Sequence, residues 1–332
     1  LGVACGLAVL VGNTIGMGIL RTPGEIGAQV PSVPGSWVWV AGALYALLGA
    51  LTVSELVAMR PRSGGLYPLV RHGLGPYPGF VVGWSDWLTS GSIAAVAIVL
   101  GEYAGPLVPA LAGREKAIAC TVVFGFGLLQ WRGIRLGDLA QQATSSPRRW
   151  RWSDWRCSRC CWRSRRHRPR WPPRAPLLPP GLALVGAVIV AMQSAIYTYD
   201  GWTGPVYFSE ELADPARDVP RTMIGGVLLV MTIYLLLNAA FLHVIRIREM
   251  AGDPFVAATA AGADVRPGGD TVLRIVMVLS LVASVNALVL MASRVPFAMS
   301  RDCLLPAILQ RVNAGGTPVP ALWAAASRWR WG

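Results

Sequence analysis

Charged residues are scarce in this 332-residue chain: they make up 14% of the sequence, whereas hydrophobic residues make up 54%, and the mean hydropathy is +0.48. An ordinary soluble domain carries about 25% charged residues. Lysine is almost absent, since Lys116 is the only one, and histidine occurs three times. These deficits exclude a typical soluble domain and indicate a chain that lies largely in a lipid bilayer.

The sequence motifs of common catalytic and nucleotide-binding sites are also missing. Lys116 follows Glu115 rather than glycine, so the chain has no phosphate-binding loop that ends in Gly-Lys-Ser or Gly-Lys-Thr. It contains neither a His-Glu-x-x-His zinc motif nor a Gly-x-Ser-x-Gly nucleophile motif. We therefore expect a protein that is not an enzyme, with no catalytic residue, no metal site and no organic cofactor.

Seven apolar runs approach the length of about 20 residues that a membrane-spanning helix needs. They cover residues 1–20, 37–59, 79–100, 117–131, 181–199, 222–245 and 275–293. The run at 117–131 is short and requires Gln130 and Trp131 to lie at the membrane interface, where tryptophan is favoured. Seven such runs predict an all-α, polytopic membrane protein.

Most of the net charge of +13 lies in one arginine-rich segment, residues 146–178, which holds eleven arginines and one aspartate. Its mixture of Arg, Trp, Cys and Pro has neither helix nor strand periodicity. We favour the interpretation that this segment is encoded by GC-rich DNA read in a shifted frame. The alternatives are an arginine-rich arm that binds RNA or lipid headgroups, or a metal site. The metal site would consist of Cys157, Cys160, Cys161 and His167, although two adjacent cysteines fit spaced zinc-ligand pairs poorly.

Polar residues and glycines interrupt two of the apolar runs. The first interruption is Gly12–Gly18, and the second is Tyr197–Gly204, followed by Pro205. Backbone groups inside a bilayer need hydrogen-bond partners, so unwound backbone persists only where it lines a cavity or is packed in protein. Close helix packing through small residues is the alternative explanation. Two such breaks, one in each half of the chain, are typical of secondary transporters with inverted repeats.

Several stretches resemble the amino acid-polyamine-organocation (APC) superfamily of permeases. They occur in the same order as in that family. They are "GNTIGMGILRTPG" in the first helix, "PRSGGLYPLVRHGLGPYPGFVVGW" between helices 2 and 3, "WRGIRLGDLAQQATS" before helix 5, "YTYDGWTGPVYFSEELADPARDVPRTMIGG" in helix 6 and the following loop, "SRVPFAMSRDCLLP" at the end of helix 8 and "GGTPVPAL" before helix 9. The resemblance covers nearly all of the chain except 146–178 and the last nine residues.

This resemblance implies a broken-helix fold of two inverted five-helix repeats, here incomplete. Residues 1–145 would hold helices 1–4, and residues 179–323 would hold helices 6–8 and the start of helix 9. The arginine-rich segment would replace helix 5, because an arginine at the bilayer centre costs about 2.5–3.5 kcal/mol. Residues 324–332, "AAASRWRWG", would be a second aberrant tail, with the helices after 9 missing.

The resemblance also implies a substrate-binding site at the two breaks. It would consist of Thr14, Ile15, Gly16, Met17 and Gly18 from the first break, and of Tyr197, Thr198, Tyr199, Asp200 and Gly201 from the second. Backbone N–H groups of the first break would hold the substrate carboxylate. Carbonyls of the second would hold its ammonium group, with Tyr197 as an aromatic gate. We expect a site role for Asp200, and the alternative is that it caps the following half-helix.

The function implied is amino acid transport by alternating access, through a multi-pass protein of the inner cell membrane. The partners are an amino acid and the lipid bilayer, with no nucleic acid expected, and H⁺ or Na⁺ would be the coupling ion. The specific amino acid, the ion and the oligomeric state stay open. We expect little or no activity from the chain in this form. The alternative function is a basic protein that binds membrane surfaces, RNA or lipid through its arginine-rich arm.

Overall fold

The structure is a computed structural model, and it describes residues 3–16, 18–30, 36–89, 92–108, 113–132, 181–245, 250–253, 256 and 269–326. These residues form helices and loops and contain no strand, which confirms the prediction of an all-α protein. The helices are α1 Val3–Thr14, α2 Gly18–Gln29, α3 Ser36–Met59, α4 Tyr67–Leu74, α5 Pro76–Thr89, α6 Ser92–Ala104, α7 Glu115–Arg132, α8 Leu182–Tyr199, α9 Pro215–Val244, α10 Gly269–Ala292, α11 Arg294–Arg301 and α12 Val319–Ala326, with 3₁₀ helices at Gly105–Leu107, Gly204–Glu211 and Ala307–Gln310.

The first apolar run forms two short helices rather than one continuous span. Helix α1 ends at Thr14, the chain bends at Ile15 and Gly16, and α2 begins at Gly18. The Thr14 hydroxyl donates a hydrogen bond to the carbonyl of Leu10 one turn earlier, at 2.8 Å. Back-bonding of this kind bends helices, and glycine has a low helix propensity. The helix break predicted in this run is therefore present.

Within the described residues, five helical stretches are long and apolar enough to cross a membrane. They are Ser36–Met59, Pro76–Leu107, Leu182–Glu211, Pro215–Val244 and Arg274–Arg301. These stretches overlap five of the seven apolar runs. The run at 117–131 forms the 18-residue helix α7, which is not apolar enough to be one of these stretches. The run at 1–20 is divided at the break. The protein is a multi-pass membrane protein.

The helices pack into two groups, each around its own hydrophobic core. Group one contains α1, α2, α3, α8 and α9, with Trp39, Tyr199 and Tyr234 in its core. Group two contains α6, α7, α10 and α12, with Val285 and Leu322 in its core. Helix α1 also packs against α10. The end of α1, where the first break begins, therefore lies at the boundary between the groups.

The last described helix extends into the predicted C-terminal tail. Helix α12 runs from Val319 to Ala326, three residues into the stretch 324–332 that the sequence suggested was aberrant. Alanine is the strongest helix former, and Ala325 is buried in the core of group two, so these residues extend the helix. The rest of that tail and the arginine-rich segment at 146–178 lie outside the described residues.

A polar junction connects the loop after α3 to the end of α11. The carboxylate of Asp302 accepts hydrogen bonds from the Arg62 guanidinium and the Tyr67 hydroxyl, each at 2.8 Å, and lies 2.8 Å from the guanidinium of Arg71. Burial alone would raise the pKa of the Asp302 carboxyl. The hydrogen bonds from Arg62 and Tyr67 and the charges of both arginines outweigh burial, so the pKa lies below its usual value. We call these four residues the Asp302 junction.

Candidate functional site

Both helix breaks border one large cavity of about 1060 Å³. Asn13, Thr14 and Gly16 line it from the first break, and Asp200 and Gly201 line it from the second. The cavity lies between group one and α5, α6 and α10, because residues of those helices form the opposite wall. The two breaks, which are about 185 residues apart in the sequence, thus converge on the same space.

The carbonyls released at the first break are paired with side chains from neighbouring helices. Ser284 on α10 donates a hydrogen bond to the carbonyl of Gly12 at 2.6 Å, and Ser280, one turn earlier on α10, donates to the carbonyl of Ile15. The carbonyl of Thr14 accepts hydrogen bonds from the Gly16 N–H and from a tyrosine hydroxyl described below. The break is held open by specific hydrogen bonds, as unwound backbone in a membrane requires.

The second break begins later than the sequence suggested. Helix α8 continues through Tyr199, so Tyr197 and Thr198 are still helical, and the unwound residues are Asp200–Thr203. The chain then continues as the 3₁₀ helix Gly204–Glu211 rather than as an α-helix. Pro205 at the start of that segment lacks an N–H group, which fits the first turn of a helix.

The two breaks are in direct contact. Gly201 has a φ of +125°, and a Cβ atom built on it would lie 2.7 Å from the Thr14 Oγ1 atom and 2.9 Å from the Asn13 amide nitrogen. A Cβ atom built on Gly18 would lie 2.8 Å from the Thr198 methyl group. Both glycines are therefore required for close approach. Close helix packing was the alternative explanation for these glycines, and it holds together with the first one, because Gly18 and Gly201 also line the cavity.

The carboxylate of Asp200 accepts a hydrogen bond from the Gly201 N–H at 3.0 Å. This bond is part of the capping role considered from the sequence. Asp200 also borders the cavity, and its side chain is exposed there. The geometry is compatible with both roles, so the site role of Asp200 stays a prediction.

The other predicted site residues fall into three sets. Gly18, Tyr197 and Thr198 also line the cavity. Ile15 is partly buried against the core of group one, and Tyr199 is buried in that core and does not line the cavity. Met17 lies outside the described residues.

Three features of the site were not predicted from the sequence. Asp86 on α5 lines the cavity, and both of its carboxylate oxygens lie within 2.9 Å of the Tyr207 hydroxyl, which donates to them. A carboxylate inside an apolar run is a signal for this position, the same signal that indicated Asp200. Ser280 and Ser284 are one helical turn apart in another apolar run, so their shared face was also visible in the sequence.

The third missed feature is Tyr234 on α9, whose hydroxyl contacts both breaks. It donates toward the carbonyl of Thr14 at 2.7 Å and toward the carbonyl of Thr198 at 3.0 Å. Tyr234 lies in the middle of the apolar run 222–245 rather than at its ends, which is a sequence signal for a buried tyrosine whose hydroxyl needs a partner. In the described part of the chain, no group of three or more His, Cys, Asp or Glu residues is placed to hold a metal ion.

Comparison with known proteins gives a consistent set of matches. A family described as amino acid permease matches residues 3–146 and 166–327. The unmatched residues 147–165 lie within the arginine-rich segment. The chain is 26% identical to the mouse b(0,+)-type amino acid transporter 1, over 97% of this chain and 67% of the transporter.

Two further relatives carry transporter names as well. The serine/threonine exchanger SteT of Bacillus subtilis (strain 168) is 27% identical over 92% of this chain and 69% of its own length. The mouse Asc-type amino acid transporter 1 is 26% identical over 97% of this chain and 62% of its own length. The matched family regions cover most of the chain and include both helix breaks. The chain belongs to the amino acid permease family.

Proposed function

We propose that this protein binds amino acids in the cavity between its two helix breaks, and that its fold is that of a transporter that carries them across the cell membrane by alternating access. The single observation that supports this most strongly is the convergence of both breaks on one cavity. Packing alone does not require Asn13, Thr14, Asp200 and Gly201 to border the same 1060 Å³ space.

The ends of the helices provide complementary groups for a zwitterion. Helix α2 begins at Gly18, and the N-terminus of a helix offers free N–H groups and the positive end of its dipole to a carboxylate. Helices α1 and α8 end at Thr14 and Tyr199, and their C-terminal carbonyls and negative dipole ends favour an ammonium group. An α-amino acid carries both charges a few ångströms apart, which suits such a site.

The division of the helices into two groups provides a route for alternating access. The first break belongs to group one, yet Ser280 and Ser284 bind it from α10 in group two. A rocking motion of one group against the other would change these hydrogen bonds at the site where substrate binds. Proton or sodium symport and amino acid exchange are both compatible with this arrangement.

Binding and transport should be measured separately, because the arginine-rich segment at 146–178 is unsuited to spanning a bilayer. The purified chain in detergent is incubated with radiolabelled amino acids, and unlabelled amino acids compete for the site. We expect saturable binding. Reconstituted liposomes with H⁺, Na⁺ or internal amino acid gradients then test transport, for which we expect little accumulation by the chain in this form.

A cavity-filling variant supplies the control for specific binding. Gly16→Leu places a side chain into the cavity, where a Cβ atom at this position already lies 3.0 Å from the Ser284 Oγ atom. Gly186→Leu adds the same side chain where a Cβ atom meets nothing within 4 Å. Binding should be lost in the first variant and retained in the second. The proposal is wrong if the unmodified, folded chain binds no amino acid.

A further inference from the structure

Asp86 places a carboxylate in the cavity wall, within a stretch that is apolar enough to cross a membrane. The Tyr207 hydroxyl lies 2.8 Å from its Oδ1 atom and 2.9 Å from its Oδ2 atom. Gly65, in the loop before α4, packs so closely that a Cβ atom built on it would lie 2.8 Å from Oδ2. These two contacts fix the orientation of the carboxylate.

The hydrogen bond from Tyr207 leaves most of the acceptor capacity of Asp86 unused. An ionised carboxylate has about four acceptor positions, whereas a tyrosine hydroxyl has one hydrogen to donate. In the part of the chain that the structure describes, no Lys, Arg or His side chain forms an ion pair with Asp86. A carboxylate inside a membrane is costly without a cationic partner, so its presence indicates a function.

The cavity has two carboxylates and no cation to balance them among its described residues. Asp86 and Asp200 both line it, and their charges repel each other. None of the lining residues that the structure describes is a lysine, an arginine or a histidine. Because the surrounding helices form a wall of low dielectric constant, this negative charge favours a ligand that brings additional positive charge.

Asp86 lies on a different wall from the breaks, so it is placed for a different part of the ligand. The breaks offer N–H groups and carbonyls to the α-carboxylate and the α-ammonium group. Asp86 belongs to α5, and Trp87 beside it also lines the cavity. An aromatic ring next to a carboxylate favours a cation. A cavity of about 1060 Å³ has room for a long side chain between these walls.

We propose that Asp86 is a specificity-determining residue of the cavity and binds the cationic side chain of a dibasic amino acid such as lysine. This inference rests on the proposed function and assigns a substrate class to it. The Tyr207 hydroxyl orients the carboxylate and leaves its remaining lone pairs to the ligand. A neutral amino acid occupies the same site through its α-groups alone and binds less tightly.

The test compares lysine with norleucine, which has the same four-carbon side chain without the ammonium group. Both compete against a radiolabelled amino acid on the purified chain in detergent. We expect lysine to bind at least tenfold more tightly than norleucine, because a hydrogen bond between two charged groups is among the stronger ones. Equal affinities for the two ligands would overturn the proposal.

Asp86→Asn removes the charge and keeps the shape of the side chain. The affinity for lysine should fall about tenfold or more, while the affinity for norleucine should change less than threefold. Asp86→Glu retains the charge and should restore the preference for lysine. A purely structural role of Asp86 would weaken both ligands equally in Asp86→Asn, and this result would contradict the proposal.

Two further variants show whether the preference belongs to Asp86. Asp200→Asn should keep the ratio of the two affinities, since Asp200 lies at the break that receives the α-ammonium group common to both ligands. Glu102→Gln removes an exposed carboxylate of a neighbouring membrane helix, outside the cavity, and should change neither affinity. Loss of the preference in Asp200→Asn but not in Asp86→Asn would assign the cationic side chain to Asp200 and overturn the proposal.

Chemical labelling tests the same inference on the unmodified chain and remains decisive if Asp86→Asn does not fold. A hydrophobic carbodiimide reacts with carboxyl groups in the membrane region, and mass spectrometry measures the modified fraction of Asp86. Saturating lysine should protect Asp86 more than saturating norleucine does. Equal protection would contradict a direct contact with the side-chain cation. If the unmodified chain binds no amino acid, the proposed function itself fails.

Discussion

Gly201 combines a backbone conformation that other residues rarely adopt with a close contact across the two breaks. Its φ is +125°, and a Cβ atom would lie 2.7 Å from the Thr14 Oγ1 atom. We expect Gly201→Ala to reduce the free energy of unfolding by an amount on the order of 1–3 kcal/mol and to abolish amino acid binding. Thermal unfolding in detergent and radioligand binding measure the two effects.

The control for Gly201→Ala is Gly186→Ala, in the helix that precedes the same break. A Cβ atom on Gly186 meets nothing within 4 Å. Alanine is favoured over glycine in a helix interior by about 1 kcal/mol, so this variant should be at least as stable as the unmodified chain. Equal melting temperatures for both variants would show that the contact between the breaks is not required.

Asp200 can act as a cap, as a site residue, or as both, and one substitution separates these roles. Asn retains an oxygen that can accept the hydrogen bond from the Gly201 N–H, but it has no charge. If Asp200 acts only as a cap, Asp200→Asn should leave amino acid binding unaltered. If its charge contributes to the site, binding of ammonium-bearing ligands should weaken about tenfold or more, because charge-assisted hydrogen bonds are the stronger ones.

The measurement for Asp200→Asn is radioligand competition at several pH values, beside a thermal unfolding curve. Asp218→Asn, in the first turn of α9, is the control for a lost carboxylate outside the cavity. Unchanged affinity and pH dependence in Asp200→Asn would remove Asp200 from the binding site.

Helix α10 stabilises the first break through hydroxyl groups on one of its faces. Ser284 donates to the carbonyl of Gly12 at 2.6 Å, and the Gly16 N–H that would bond this carbonyl in a continuous helix bonds the carbonyl of Thr14 instead. Ser284→Ala should cost about 1–3 kcal/mol of stability, since a buried carbonyl is left without a partner. Thermal unfolding checks this prediction.

Thr232→Ala is a suitable comparison, because the Thr232 hydroxyl is exposed and bonds only one turn back, to the carbonyl of Leu228 at 2.8 Å. Its loss should change the melting temperature little. A similar effect of both substitutions would indicate that the first break does not depend on α10.

The breaks were predictable at the level of helices because bilayer chemistry leaves few explanations for glycines and polar residues inside apolar runs. The exact boundaries of the breaks were less predictable. Tyr197 and Thr198 continue α8, and the segment after the second break is a 3₁₀ helix, because local hydrogen bonding and Pro205 decide these features. Which side chains face the cavity depends on tertiary packing, so the sequence could not show that the Tyr199 side chain lies in the core of group one and not at the cavity.

The protein as a whole consists of two helix groups with a site at their boundary, so contacts between the groups should govern its conformational changes. The Asp302 junction adds a contact outside the cores of the two groups. It links the loop between α3 and α4 to the end of α11 through Arg62, Tyr67 and Arg71.

Acidification should weaken this junction within a defined pH range. The pKa of the Asp302 carboxyl is lowered in the folded protein. Its stabilising contribution is therefore complete above the pKa that an aspartate has in the unfolded chain, about 4. The contribution is lost as the pH falls through the lower pKa that Asp302 has in the folded protein. Asp302→Asn should reduce stability at pH 7 by roughly 1–2 kcal/mol, a figure that allows for the partial exposure of both arginines.

The measurement is the difference in melting temperature between the unmodified chain and Asp302→Asn, taken at pH 7 and again at pH 3. Because both proteins share all other groups that titrate in that range, the difference isolates the contribution of this one carboxylate. We expect the difference to be large at pH 7 and to shrink at pH 3. Asp214→Asn, which removes an exposed carboxylate 3.7 Å from Arg217, should show little difference at either pH. A constant difference for Asp302→Asn at both pH values would show that the charge of Asp302 does not hold the two segments together, and that its shape and neutral hydrogen bonds suffice.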